Sequence, residues 1–145
     1  MQIEKLLEYT KEKTENYFRI DSIISGLETR KDTGNSRDVN SFIRSKNKIN
    51  RTVEVQAINN VNIDQQIENW QKWKEIICED LEKIKKNNIF EYRIIMGRLT
   101  GFSYDRIIIE TKASIRVLKR IWSNFIMEIT VIAMKNNLID FNKFF

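Results

Sequence analysis

Between Lys112 and Asn124 the chain carries Lys112, Arg116, Lys119 and Arg120 and no acidic residue. An arginine can give two hydrogen bonds to a guanine edge, and any of these cations can neutralise a phosphate. The chemistry that such a cluster offers is recognition of a polyanion. Arg116, Lys119 and Arg120 are the candidates for base edges, with Ser123 and Asn124 beside them on the open side of the same predicted helix. Ile115 and Val117, if turned toward a major groove, could touch thymine methyls. Ser103 and Ser114 stand at two predicted helix starts, where backbone amides can hydrogen-bond phosphate oxygens. Lys112, in the corner between those helices, would add a charge contact. The candidate DNA-binding set is therefore Ser103, Lys112, Ser114, Ile115, Arg116, Val117, Lys119, Arg120, Ser123 and Asn124.

Other chemistries have little to build on. A single cysteine, Cys78, and the lack of histidine exclude a Cys/His zinc site, a disulfide framework and a histidine-based triad. No glycine-rich phosphate loop or nucleophile elbow is present. Glu79, Asp80 and Glu82 form the tightest acidic group and could approach a divalent cation. The neighbouring Lys83, Lys85 and Lys86 favour a solvated helix face instead. No catalytic residue, cofactor or metal is expected, and an enzyme is the least supported class.

The elements that must position the basic cluster follow from caps and spacing. Thr100-Gly101-Phe102 is a turn signal, and Ser103 directly after it caps a helix predicted to run to about Thr111, with Ile107 pointing inward. After Lys112-Ala113, Ser114 caps a second helix in which Leu118, Ile121, Trp122 and Phe125 recur at helical spacing and would face the first. A helix–corner–helix with a basic second helix is an arrangement that places side chains in the major groove of DNA. Ile89–Leu99 reads as a helix supporting the pair from behind.

Ser103-Tyr104-Asp105, Ile107, Ser114, Leu118 and Ile121 together resemble the helix-turn-helix of region 4 of sigma factors. The pattern is most similar to that of phage late-gene regulators of the RinA and ArpU type. Arg51–Ile58 and the helix carrying Trp70 and Trp73 also look like the amino-terminal half of those small proteins, so the resemblance spans roughly Arg51 to Phe125. Two positions depart from the pattern: Ile108 stands where a small residue is usual, and Lys112 where a glycine is usual near the corner. The resemblance implies activation of late genes in a phage or phage-derived element, with double-stranded DNA and the host RNA polymerase as partners.

Composition sets the frame for the rest. With no proline and only four glycines in 145 residues, helices meet few interruptions, and an all-α chain is predicted. A net charge of +5 favours polyanionic partners. The amino terminus lacks a signal-peptide pattern, the most apolar run (Phe125–Met134) is too short to span a membrane, and the lone cysteine suits a reducing compartment. The expected location is the cytoplasm of a bacterial host cell, with no membrane partner.

Residues 1–88 read as a helical amino-terminal region. Gln2 to about Ser25 forms one amphipathic helix from the spacing of Ile3, Leu6, Leu7, Tyr17, Phe18, Ile24 and Leu27, with Gly26 as its stop or, alternatively, a further turn through Leu27-Glu28. Val53–Lys86 forms a long helix against which the first packs antiparallel, its seam Ile63, Ile67, Trp70, Ile77, Leu81 and Ile84, with Trp73 and Ile76 in the core beside it. Asn59, Asn60 and Asn62 mark a place where it could fray or kink. Residues 29–51 form a basic loop, with seven cations against Asp32 and Asp38 between Arg30 and Arg51. It reads either as a solvated connection or as an arm that touches phosphate. Residues 89–145 hold the helix-turn-helix region, whose second helix continues through Phe125–Met134 to a stop at Asn136-Asn137. That continuation is apolar on nearly every side and is followed by Phe141, Phe144 and Phe145. Self-association of copies through this end is predicted, against the alternative of the tail docking on the long helix of its own chain.

The sequence thus reads as a sequence-specific DNA-binding transcription regulator. Two alternatives stay open: a DNA-packaging recognition protein like a small terminase subunit, and a helical scaffold that binds a protein through Val53–Lys86 without DNA.

Overall fold

The computed structural model describes residues 2–32, 46–140 and 142, and within them every regular element is helical. The order is α1 (Gln2–Glu15), a 3-10 turn (Tyr17–Arg19), α2 (Ile20–Asp32), α3 (Lys46–Asn87), α4 (Ile89–Leu99), α5 (Tyr104–Thr111) and α6 (Ile115–Lys135). No described helix is long and apolar enough to cross a membrane. The chain forms two compact units: residues 1–18 with 72–145, and residues 19–71.

The first unit holds the main core. Trp73, Ile76, Ile77 and Leu81 of α3 meet Ile94, Ile95 and Leu99 of α4, Ile107 of α5, and the stripe Leu118, Ile121, Trp122, Phe125, Ile126, Ile129 and Ala133 of α6. Leu6 joins them from α1, which packs mainly on α6 and sets Tyr9 edge-on to Trp73 of α3 at 6.2 Å. Trp73 is fully buried while Trp70 is only half-buried, so the inner seam of α3 runs through the tryptophan predicted to flank it.

Position 80 lies on this inner side, seven residues after Trp73. Asp80 is therefore buried, at 3% exposure, rather than part of the solvated face predicted for Glu79, Asp80 and Glu82; Glu79 and Glu82 are exposed. The described residues contain no group of three acidic, cysteine or histidine side chains able to hold a metal ion.

The predicted single helix over Gln2–Ser25 is interrupted. Asn16 Nδ2 donates to the Glu12 carbonyl at 2.9 Å and ties off α1, and the chain takes a 3-10 turn before α2. Thr10 and Thr14 donate to the carbonyls of Leu6 and Thr10, a pairing that weakens helix geometry just before the break. Ile3 and Phe18, assigned to the apolar face, are exposed.

Gly26 does not stop α2, which runs on to Asp32. In the second unit α2 buries Ile20 and Leu27, and Lys31 of α2 pairs with Asp64 of α3 at 2.9 Å. Helix α3 begins at Lys46, seven residues before the predicted start, and passes the asparagine cluster without a break. No proline or glycine lies between Lys46 and Asn87 to interrupt it. The predicted loop thus loses Thr29–Asp32 and Lys46–Arg51 to helices. The remainder of the basic stretch, with Arg37 and Arg44, lies outside the described residues.

Helix α6 closes as the sequence predicts. Asn136 is its C-cap, Asn137 takes a left-handed conformation (φ 58), and Leu138 N donates to Ala133 O at 2.9 Å, which is a Schellman closure. Leu138 and Ile139 are then buried in the same core. Within the described part of the apolar run for which a second copy was predicted, Phe125, Ile126, Ile129 and Ala133 are buried in the chain's own core, and Met127 and Val131 are exposed. Phe141, Phe144 and Phe145 lie outside the described residues.

Candidate nucleic-acid interface

Three helix ends set the geometry around the basic cluster. Helix α4 closes with Gly101 at φ 88, Phe102 N donating to Gly97 O at 3.0 Å and Gly101 N to Arg98 O at 3.1 Å. This Schellman turn needs a residue tolerant of positive φ, which glycine supplies. It delivers Ser103 to the start of α5, where its side chain accepts a hydrogen bond from Arg106 N at 3.3 Å. Helix α5 ends at Lys112, itself left-handed at φ 59 and ψ 20, with its N–H donating to Ile108 O at 2.7 Å. The position where the resembled pattern favours glycine is thus one that adopts a glycine-like conformation. Ala113 turns inward and is buried, and Ser114 caps α6 by accepting from Val117 N at 3.3 Å. Three residues, Lys112–Ser114, make the whole link between α5 and α6.

The helices are held close. A Cβ on Gly97 would lie 3.0 Å from Ile107 Cγ1, so α4 and α5 approach closely enough that any larger residue there would push the Ile107 side chain aside. Ile108, where the resembled pattern has a small residue, is half-buried and packs against the core.

Arg98, which carries no sequence signal of its own, joins three helices. Its guanidinium stacks 4.2 Å from the Tyr104 ring of α5, lies 5.7 Å from the Trp122 ring of α6, and donates to Phe102 O at 3.5 Å. On the outer face of α5, Arg106 pairs with Glu110 at 3.3 Å and lies over the Phe102 ring at 3.7 Å. An arginine that anchors helices by stacking gives no periodic pattern in a sequence.

Of the ten candidate residues, Ser103, Lys112, Ser114, Ile115, Arg116, Lys119, Arg120, Ser123 and Asn124 are exposed; Val117 is half-buried and packs against the core, so less of it is open than of Ile115. Leu118, Ile121, Trp122 and Phe125 are buried, which turns Arg116, Lys119, Arg120, Ser123 and Asn124 outward together. The buried stripe of α6 meets α1 and α4 more extensively than α5, although α5 was the neighbour the sequence predicted for it. Among the described residues, Lys112, Arg116, Lys119 and Arg120 have no ion-pair partner. Four uncompensated cations on one short stretch attract an anion and repel one another. The chain was compared with protein-family models, curated proteins and solved structures, and none matches.

Proposed function

We propose that the chain is a sequence-specific DNA-binding transcription regulator, with α5 and α6 as its helix-turn-helix and α6 as the helix that enters the major groove. One observation carries this reading: a two-cap, three-residue link that holds Lys112 orients a helix whose exposed side carries Arg116, Lys119 and Arg120, all four cations without ion-pair partners among the described residues, while its other side is fixed in the core. A helix packed on one side and basic on the other can lie in the groove without unfolding. In this mode Arg116, Lys119 and Arg120 reach base edges. Ser123, Asn124 and Ile115 contact bases or sugars from the same face. The amides at the starts of α5 and α6, with Lys112, hold phosphates. The role as an activator of late genes in a phage or phage-derived element, with a polymerase contact, rests on the family resemblance alone. The reading assigns the chain no catalytic step.

The test is binding of labelled genomic fragments from the source element, at two salt concentrations, against random competitor. Selective retention of one fragment, weakening steeply with salt, supports a specific regulator and yields its operator. Arg120→Ala should then cost about 1–3 kcal/mol on that fragment and less on random DNA. An equal loss on both would make Arg120 a phosphate contact. Uniform binding of all fragments would favour packaging or an architectural role, and no binding at low salt would remove DNA as a partner.

A further inference from the structure

Helices α1 and α6 of the first unit pack on each other and leave a cleft of about 380 Å³ along their junction. Leu7, Glu8 and Lys11 line it from α1, and Lys119 and Ser123 are among its lining residues from α6. Lys119 and Ser123 belong to the outward face assigned above to DNA. A duplex that meets that face therefore also comes up against α1, which the sequence placed elsewhere. Among the described residues, the ion-pair partner of Lys11 is Glu15, 3.9 Å away, with about half of each side chain in solvent. A pair that long and that exposed holds its lysine weakly and leaves it able to change partner. Glu8, one turn earlier, is exposed on the same cleft.

We infer that α1 forms a second wall of the DNA-binding surface: Lys11 takes a backbone phosphate of the strand that passes Lys119, and Glu8 stands against that strand as an opposing charge. The inference rests on α6 being the DNA-reading helix. It gives the amino-terminal helix two charges of opposite sign within a Debye length, about 8–10 Å, of the phosphates. Neither charge contacts a base, so both act on every sequence alike. Glu8 lowers general affinity and leaves the preference for the operator to the α6 side chains.

The experiment uses the full chain with a random-sequence duplex and with the retained genomic fragment, across a salt series. Releasing one condensed counterion contributes about 0.9 to the salt slope, which at 0.1 M salt is roughly eight-fold in affinity. Lys11→Ala should lose about that factor on both duplexes and flatten both slopes by about 0.9, while Lys11→Arg keeps them. Glu8→Gln should tighten both by a few-fold, and its effect should shrink as salt rises. Circular dichroism checks that α1 stays folded in each variant, since both residues lie outside the core. If Lys11→Ala and Glu8→Gln change nothing while Arg120→Ala still lowers preference, α1 lies off the DNA and the inference fails alone. A Lys11→Ala loss confined to the genomic fragment overturns the phosphate role. Absence of any binding by the parent chain removes both the inference and the reading beneath it.

Discussion

Replacing Asp80 by asparagine should stabilise the protein at neutral pH and do little in acid. Asp80 is 3% exposed, and its carboxylate oxygens meet no donor among the described residues; the Glu128 carboxyl beside them can share a hydrogen bond only when one of the two is protonated. Burial, and then the negative charge of Glu128 on α6, push its pKa from 3.8 up to about 6; Lys83, which pairs with Glu128 at 3.7 Å, pulls the other way. The folded state therefore holds this proton more tightly than the unfolded chain does. Its contribution to stability is fully present below about pH 4, is lost as pH rises through about 6, and stays lost above. A shift of about two units corresponds to about 3 kcal/mol at 1.36 kcal/mol per unit. An amide in place of the carboxyl keeps the shape and carries no charge, so Asp80→Asn should exceed the parent by up to about 3 kcal/mol near pH 7.5 and match it near pH 4. Urea unfolding followed by tryptophan fluorescence, repeated across that range, measures the difference. A gap that does not change with pH would mean that Asp80 is ionised at little cost, with water or a cation satisfying it. Loss of stability near pH 7.5 would mean that its charge is needed where it sits.

Two further outcomes concern the joints around α5. Gly97→Ala should cost about 1–3 kcal/mol in urea unfolding, because the added methyl meets the buried Ile107 side chain at 3.0 Å and displaces it from its packing in the core. If the variant is instead as stable as the parent, the gain in helix propensity, up to about 1 kcal/mol, outweighs the contact and the two helices can part. Lys112→Gly should gain about 1 kcal/mol in thermal or urea unfolding by removing a side chain from a left-handed backbone position, yet weaken DNA binding through loss of one cation. A stability loss would show that the lysine side chain makes compensating contacts.

The helical class, the caps Ser103 and Ser114, the inward stripe of α6 and the stop at Asn136 are legible in the sequence because each depends on local chemistry. Short polar side chains satisfy free amides one turn away, and buried residues recur at 3.6-residue spacing. The departures arise where tertiary placement decides. Asp80 lies on the inner stripe of Trp73, Ile76 and Ile77, but its charge groups it with the exposed Glu79 and Glu82, and only the packing of α3 in the core separates it from them. The break at Asn16 is a competition between side-chain and backbone hydrogen bonds, which apolar spacing does not register. Helix α1 packs mainly on α6, at the far end of the sequence, so the wall that it adds beside Lys119 could not be read from the motif. The same is true of Arg98, whose role is to stack between rings from two other helices. The exposed side of α6 is legible from spacing, since an outward face is the complement of an inward stripe.

The start of α6 shows a conflict between stability and charge that bears on the proposed function. Helices α1, α2, α4 and α5 each carry an acid in the first turn (Glu4, Asp21, Glu91 and Asp105), where it complements the positive end of the helix dipole. Helices α3 and α6 carry none, and the second residue of α6 is Arg116, exposed and without an ion-pair partner among the described residues. A cation there is unfavourable by about 0.3–1 kcal/mol in the free protein, a cost that a phosphate at the helix start would reverse. Departures from local rules of this kind collect at functional positions. Arg116→Glu should therefore raise stability by roughly 1 kcal/mol in thermal or urea unfolding. The same substitution should weaken DNA binding well beyond ten-fold, because a base or phosphate contact becomes a repulsion. Opposite signs in the two assays would support a helix start arranged around an external anion. A stability loss would show that Arg116 is held by the protein itself, and unchanged binding would mean that the amino-terminal end of α6 does not face DNA.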